Sequence, residues 1–272
     1  MDIRLICMDL DGTALRNDHE TISPRLLAAL EKAWEKGITI VPVTGRQYTL
    51  LPEFLQVHPR WASLAVLCNG AQIRAMDTEE VLYRRDLSPA ALHGLIGLAR
   101  KYQLPMEFSA EGWLHLTEQT MERVRQTPYL TFHREKILPK AGRIVDSLEP
   151  VCDLAVEKVN LMCIPPELRE RVVRDLAQLE VSAVWSGPRG MEITHPEATK
   201  GGALRLLSRM LDIPMGNMMS LGDSGNDLTM LREAGLGVAM GNAPDFVKTA
   251  ADVTTETNVN DGAAIAIERY AL

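Results

Sequence analysis

Asp9 and Asp11 stand two residues apart, behind the apolar run from Leu5 to Met8 and ahead of Gly12-Thr13. Alternation along a strand puts positions i and i+2 on one side, so both carboxylates can face one pocket. Two acids so placed suit a nucleophile and a proton-transfer group. A turn merely rich in Asp and Gly is the plain alternative, and the fixed order D-x-D-G-T weighs against it. Three further segments carry compatible chemistry. Thr44-Gly45-Arg46 follows the apolar run Ile38 to Val43, and its hydroxyl and backbone N–H groups can hold phosphate oxygens. Lys200 falls in the first turn of an expected helix. There the positive end of the helix dipole disfavours a cation by about 0.3–1 kcal/mol unless an anion sits beside it. Gly222-Asp223-Ser224-Gly225-Asn226-Asp227 adds two more carboxylates after the apolar run Met218 to Leu221.

Brought into one pocket, Asp9, Asp11, Asp223 and Asp227 would repel one another by about 4 kcal/mol per pair at ~4 Å and an effective dielectric of about 20. Either some of them protonate or a cation sits among them. Oxygen donors with no His or Cys nearby select Mg²⁺ over zinc. The same cation lets a phosphate dianion approach, with Lys200 expected to supply positive charge from the opposite side.

The elements around these segments have to bring them together. Leu5 to Met8, Ile38 to Val43, Leu64 to Cys68, Met218 to Leu221 and Leu236 to Met240 read as buried strands. Asp252 to Thr254 reads as a weak last one. Ser23-Pro24 starts a helix that Gly37 stops. Thr199 caps a helix from Lys200 to Leu211, and others run near Asn226 to Ala234 and from Gly262 to Tyr270. Strands alternating with helices predict a parallel sheet covered on both faces, with ligands at the carboxyl ends of the strands. Several strands there end on polar residues: Asp9, Thr44, Asn69, Asp223 and Asn242.

Between Arg84 and His195 the pattern changes to hairpins mixed with helices. Met106 to Ser109 and Trp113 to Thr117 flank a short turn. Val159 to Ile164, Val181 to Trp185 and Met191 to Thr194 read as strands, and Pro166 to Leu179 as a helix. The expected fold class is therefore α/β, a Rossmann-like parallel-sheet core formed by residues 1–83 and 195–272. An α+β domain of residues 84–194 is inserted into it. The length of 272 residues fits two domains, and 46% apolar with 24% charged residues excludes a disordered or fibrous chain. A net charge of −7 argues against a partner held by bulk electrostatics, nucleic acid above all. No apolar stretch has the length of a membrane span, and Cys7, Cys68, Cys152 and Cys163 are scattered. Unstapled thiols point to a reducing compartment, so the expected localisation is cytoplasmic, with no membrane and no obligate protein partner.

Asp9-Leu10-Asp11-Gly12-Thr13, Thr44-Gly45-Arg46, Lys200 and Gly222-Asp223 with Asn226-Asp227 resemble, in order and spacing, the four motifs of the haloacid dehalogenase (HAD) superfamily. Asn69-Gly70-Ala71, Met240-Gly241-Asn242-Ala243 and Asn260-Asp261-Gly262 are similar to its Cof-type phosphatase branch, which carries a large α+β cap between the Thr and Lys motifs. The resemblance implies a Mg²⁺-dependent phosphatase acting on a small phosphate ester, a sugar phosphate or a phosphorylated cofactor. Asp9 would be the nucleophile that forms an aspartyl-phosphate, and Asp11 the general acid and then base. Asp9, Asp223 and the backbone carbonyl of Asp11 would hold Mg²⁺, with Asp227 acting through a water or a neighbouring ligand. Thr44, Gly45, Lys200 and Asn226 would hold the phosphoryl group. Apart from the resemblance, Arg46 and Asn69 are candidates for contacts on the substrate side. The inserted cap would set specificity. Two other readings stand beside this one: a non-catalytic phosphometabolite-binding protein, which would have no use for Asp11 as a proton donor, and a phosphomutase.

Overall fold

The computed structural model describes residues 2–272, in two compact units. One comprises the chain up to Arg46, Leu51–Tyr83 and Thr199–Leu272, and the other Gln47–Leu50 and Arg84–Ala198. In chain order the first unit holds β1 (Leu5–Met8), α1 (Pro24–Glu35), β2 (Thr39–Pro42), α2 (Glu53–Gln56), β3 (Leu64–Leu67), β4 (Gln72–Ala75) and β5 (Val81–Arg84). The second holds α3 (Pro89–Tyr102), β6 (Met106–Ala110), β7 (Trp113–Thr117), α4 (Glu118–Arg125) and α5 (Leu138–Ala141). It continues through β8 (Gly142–Val145), β9 (Val156–Leu161), α6 (Arg169–Leu176), β10 (Ser182–Trp185) and β11 (Met191–Thr194). The chain then returns to the first unit with α7 (Lys200–Leu211), β12 (Met218–Gly222), α8 (Leu228–Glu233), β13 (Leu236–Ala239), α9 (Asp245–Lys248), β14 (Val253–Thr254) and α10 (Gly262–Tyr270).

The expected parallel core is present, with strand order β14-β13-β12-β1-β2. Strand β1, between β12 and β2, is wholly buried. Leu5 and Cys7 pack on the α7 side with Leu204, Leu207 and Met218, which leaves Ile6 and Met8 for the other face by alternation. Because β1 and β12 are neighbours from opposite ends of the sequence, the topological switch lies between them, where ligand crevices form. Their register, Met8 opposite Leu221, brings Asp9 beside the Gly222-Asp223 turn, and the Asp9 N–H donates to the Leu221 carbonyl at 3.0 Å. Helix starts follow from local chemistry: Ser23 and Thr199 accept from the Leu26 and Gly202 N–H groups at 3.0 Å each.

Leu64 to Cys68 was expected to extend the parallel sheet, and here the structure differs. β3 pairs antiparallel with β4, which pairs with β5, and its ladder to the parallel sheet is reduced to one parallel bridge between Val43 and Val66, beside β2.

The second unit is a six-stranded sheet, β10-β11-β9-β6-β7-β8, antiparallel except for the β7–β8 pair. One face, with Phe108, Val159 and Ile193, packs on α3 and α6. On the other, Glu107, Asn160 and Glu192 stand side by side across β6, β9 and β11. That row is knitted by Asn160 to Glu107 at 2.6 Å, Lys158 to Glu192 at 2.6 Å and His133 to Glu107 at 2.9 Å. No helix among the described residues is long and apolar enough to cross a membrane.

Candidate active site

β1, β12 and the first turn of α7 place three of the predicted segments around one ammonium group. Lys200 is completely buried, and its Nζ donates to Asp9 Oδ1 at 2.7 Å and to Asp227 Oδ1 at 2.6 Å. The helix-dipole penalty on a cation in that turn is thus offset by two carboxylates, before any ligand is considered. Lys200 sits among the acids and not across from them, unlike the expected arrangement. Burial alone would lower its pKa, but Asp227 and Asp9 outweigh that and push it up.

Asp227 is equally buried and fully engaged. Its Oδ2 accepts from the backbone N–H groups of Asp223 and Ser224 at 2.9 Å each, so it fixes the turn that carries Asp223. Asp223 Oδ1 accepts from the Thr13 hydroxyl at 3.1 Å. Asp9, Asp223 and Asp227 each offer an oxygen, all within 4.8 Å of one another. Burial, together with the Asp227 charge, raises Asp223 to about 7. Burial likewise pushes Asp9 well above the usual carboxylate range despite Lys200. One ammonium does not neutralise three acids, and this all-oxygen donor set fits a hard divalent cation.

Asp11 is held differently. Arg46 forks onto it, Nε to Oδ2 at 2.8 Å and the terminal amine to Oδ1 at 2.7 Å, while His19 Nδ1 lies 2.8 Å from Oδ1. The same Arg46 amine also donates to the His19 carbonyl at 2.8 Å, closing a triangle. Burial would raise the Asp11 pKa, but the bonds from Arg46 and His19 prevail and hold it well below the carboxylate range. Arg46, expected as a substrate contact, is in this state an Asp11 partner.

Thr44 is buried, and its Oγ1 accepts from the Arg46 N–H at 3.1 Å, which tightens the Thr44-Gly45-Arg46 turn. Asn226 Oδ1 accepts from the Ser224 hydroxyl at 2.6 Å, and its Nδ2 donates to Asn69 Oδ1 at 3.0 Å. Two participants were not anticipated as site residues. His19 lies in a loop of turn residues with no spacing to mark it. Asn242, flagged only as a strand end, donates to the Gly12 carbonyl at 2.8 Å and to Asp223 at 3.4 Å. A cleft of about 580 Å³ opens in the second unit, lined by residues such as Arg100, Thr117, Arg123 and Ser147, and holds none of the motif residues.

The haloacid dehalogenase-like hydrolase family matches residues 6–267. The chain belongs to that family. Within it, this hydrolase is an enzyme of the Cof-type phosphatase branch. It is 31% identical over 273 residues to the 5-amino-6-(5-phospho-D-ribitylamino)uracil phosphatase YcsE of Bacillus subtilis, covering 100% of this chain and 97% of that one. Pyridoxal phosphate phosphatase YbhA of Escherichia coli is 28% identical, with 97% of each chain covered. Among solved structures, the HAD subclass IIB sugar phosphatase BT4131 superposes with a TM-score of 0.84 at 27% identity, over 98% of each chain.

The turn after β1 leaves no room for a side chain at Gly12. Its φ is +77°, and a Cβ there would overlap the Asp223 carboxylate, whose carbon would be 2.7 Å away. Gly12→Ala in this hydrolase is therefore expected to displace Asp223 and lower kcat/KM by about 10²-fold. Steady-state kinetics on a folded variant checks this, and wild-type kinetics would show that Asp223 tolerates the shift.

Proposed function

We propose that the chain is a Mg²⁺-dependent phosphatase that hydrolyses small phosphate monoesters, a sugar phosphate or a phosphorylated cofactor, through an aspartyl-phosphate on Asp9. The observation that carries this reading is the bridge from Lys200 to Asp9 and Asp227, with an Asp223 oxygen within 4.8 Å of the other two acids. Such a site needs a nucleophile, a fixed positive charge and a place for a cation, and phosphoryl transfer is mostly positioning and charge stabilisation. Support for the substrate class comes from relatives named for a phosphoribitylamino-uracil, pyridoxal phosphate and sugar phosphates.

In this reading Asp9 attacks phosphorus and the bond to the leaving oxygen breaks. That oxygen takes a proton from Asp11. A water, deprotonated by Asp11, then attacks phosphorus, the Asp9–phosphorus link breaks, and inorganic phosphate and the Asp9 carboxylate are released. The ionised, clamped Asp11 is in the state needed to accept the water's proton; for the first step the Arg46 fork has to open and Asp11 has to carry a proton, the one that deprotonation of the water returns to it at the end of each cycle. Lys200 orients Asp9 through Oδ1. Thr44, Gly45, Lys200 and Asn226 hold the phosphoryl oxygens. Asp9, Asp223 and the Asp11 carbonyl would hold Mg²⁺, with Asp227 behind them, and the bound ion would neutralise charge on the transferring group.

The second unit acts as the specificity-setting cap, and the polar row Glu107, Asn160 and Glu192 is suited to select hydroxyl-rich leaving groups. Four free cysteines, three of them buried, support a cytoplasmic setting. The purified protein with Mg²⁺ is expected to release phosphate from an aryl phosphate, to stop on chelation and to resume when Mg²⁺ is restored. No release above an Asp9→Asn control would refute the proposal, and phosphate passed to a second hydroxyl would make the enzyme a mutase.

A further inference from the structure

Three successive residues at the end of β3 have left-handed backbones: Cys68 at φ 49°, Asn69 at 59° and Gly70 at 106°. A single such residue is ordinary in a turn, whereas a run containing a cysteine persists only where its surroundings hold it. Here each residue of the run contacts a segment that carries part of the phosphoryl-holding set. The Cys68 N–H donates to the Arg46 carbonyl at 3.0 Å, and the Asn69 N–H donates to the Thr44 carbonyl at 2.9 Å. Gly70 presses on the residue before Lys200: a Cβ there would overlap the Thr199 carbonyl, whose carbon would be 2.9 Å away. The buried Asn69 side chain reaches the remaining segment, with Oδ1 accepting from Asn226 Nδ2 at 3.0 Å.

We infer that Asn69 is a positioning residue of the phosphoryl cradle, fixing the Asn226 amide, and not a contact to the substrate as its sequence position suggested. This inference rests on the reading that Asn226 holds the phosphoryl group. The Asn226 amide has one acceptor oxygen and two N–H donors. Ser224 occupies the oxygen at 2.6 Å and Asn69 one N–H at 3.0 Å, so the second N–H is aimed by partners on both sides. Without Asn69, the Ser224 hydroxyl alone holds the amide from one side, and the second N–H is no longer fixed from both. The backbone explains the residue type as well. Asparagine is among the few side chains that tolerate φ near +60°, and it supplies an acceptor from that conformation.

The test is a double-mutant cycle read as inhibition by inorganic phosphate of the Mg²⁺-loaded full chain. Asn69→Gly keeps the left-handed conformation and removes the acceptor. It is expected to weaken phosphate about tenfold, and Asn226→Ala to do so at least as much. In the Asn69→Gly background, Asn226→Ala should then add little. Asn69→Asp keeps both the conformation and an acceptor, so Asn226→Ala should retain its full effect there whatever the added charge does alone. Independent, multiplying effects of Asn69→Gly and Asn226→Ala would overturn the inference, as would loss of the Asn226→Ala effect in the Asn69→Asp background. That second arm decides the matter even if Asn69→Gly does not fold. If Asn226→Ala leaves phosphate inhibition unchanged in the otherwise wild-type chain, the assignment of Asn226 fails first and this inference falls with it.

Discussion

Asp9→Asn is expected to yield a folded protein with turnover reduced by about 10⁴-fold or more, the scale on which an enzyme loses rate with its nucleophile. The substitution is nearly isosteric, but an amide oxygen does not displace an alkoxide from phosphorus. Stability should move the other way. Burial disfavours the Asp9 carboxylate enough to raise its pKa far above the ordinary value in spite of Lys200, so the ionised form is held at a cost in the fold. A neutral amide removes that cost, while Lys200 keeps its bond to Asp227. The expected result is therefore lost activity with an unchanged or raised unfolding midpoint. Activity and stability falling together would mean that Asp9 is structural.

The second large effect belongs to Lys200→Met. This lysine is completely buried, and two buried carboxylates depend on it. Removing one member of a buried ionic cluster leaves uncompensated charge and typically costs about 3–5 kcal/mol. Urea unfolding should show that loss, together with loss of turnover. Added Mg²⁺ should recover part of the stability, because a cation bound only to the folded chain stabilises it by mass action. A variant as stable as the parent would show that Lys200 is not the counter-charge of this cluster. Arginine is not expected to substitute, since its planar fork needs a different space from a compact ammonium.

The parts of the fold legible in the sequence are those written in local chemistry. Ser23-Pro24 and Thr199 mark where α1 and α7 begin, and the Gly262 to Tyr270 helix was readable as well. Ser88-Pro89 carries the same cap-and-proline signal and opens α3, a 14-residue helix that was not anticipated inside a segment read chiefly as hairpins. β9 runs Val156–Leu161 where Val159 to Ile164 was expected. Glu157-Lys158 looks like the start of a loop, yet Lys158 is buried against Glu192, and that partner lies on a strand far along the chain. β3 joins the parallel sheet by a single bridge and makes its full ladder with β4, a pairing that was not legible because a short apolar run does not reveal its neighbours.

The same limit applies to the site. Side-chain types and strand ends pointed to one cluster of acids with Lys200 nearby, because incompatible charges demanded a common solution, and the structure brings Asp9, Asp223, Asp227 and Lys200 together. Spacing did not reveal which charges pair. Lys200 lies between Asp9 and Asp227, Arg46 grips Asp11, and His19 closes that triangle from a loop whose residue types are ordinary for turns.

Covalent capture on Asp9 is the most direct examination. The enzyme with Mg²⁺ is mixed with an aryl phosphate, quenched in acid within a single turnover, and digested for mass spectrometry. The peptide that contains Asp9 should carry one phosphoryl group, which disappears at longer times and is absent from Asp9→Asn. An unmodified Asp9 peptide throughout a turnover that releases phosphate, or a phosphoryl group on another residue, would contradict the account.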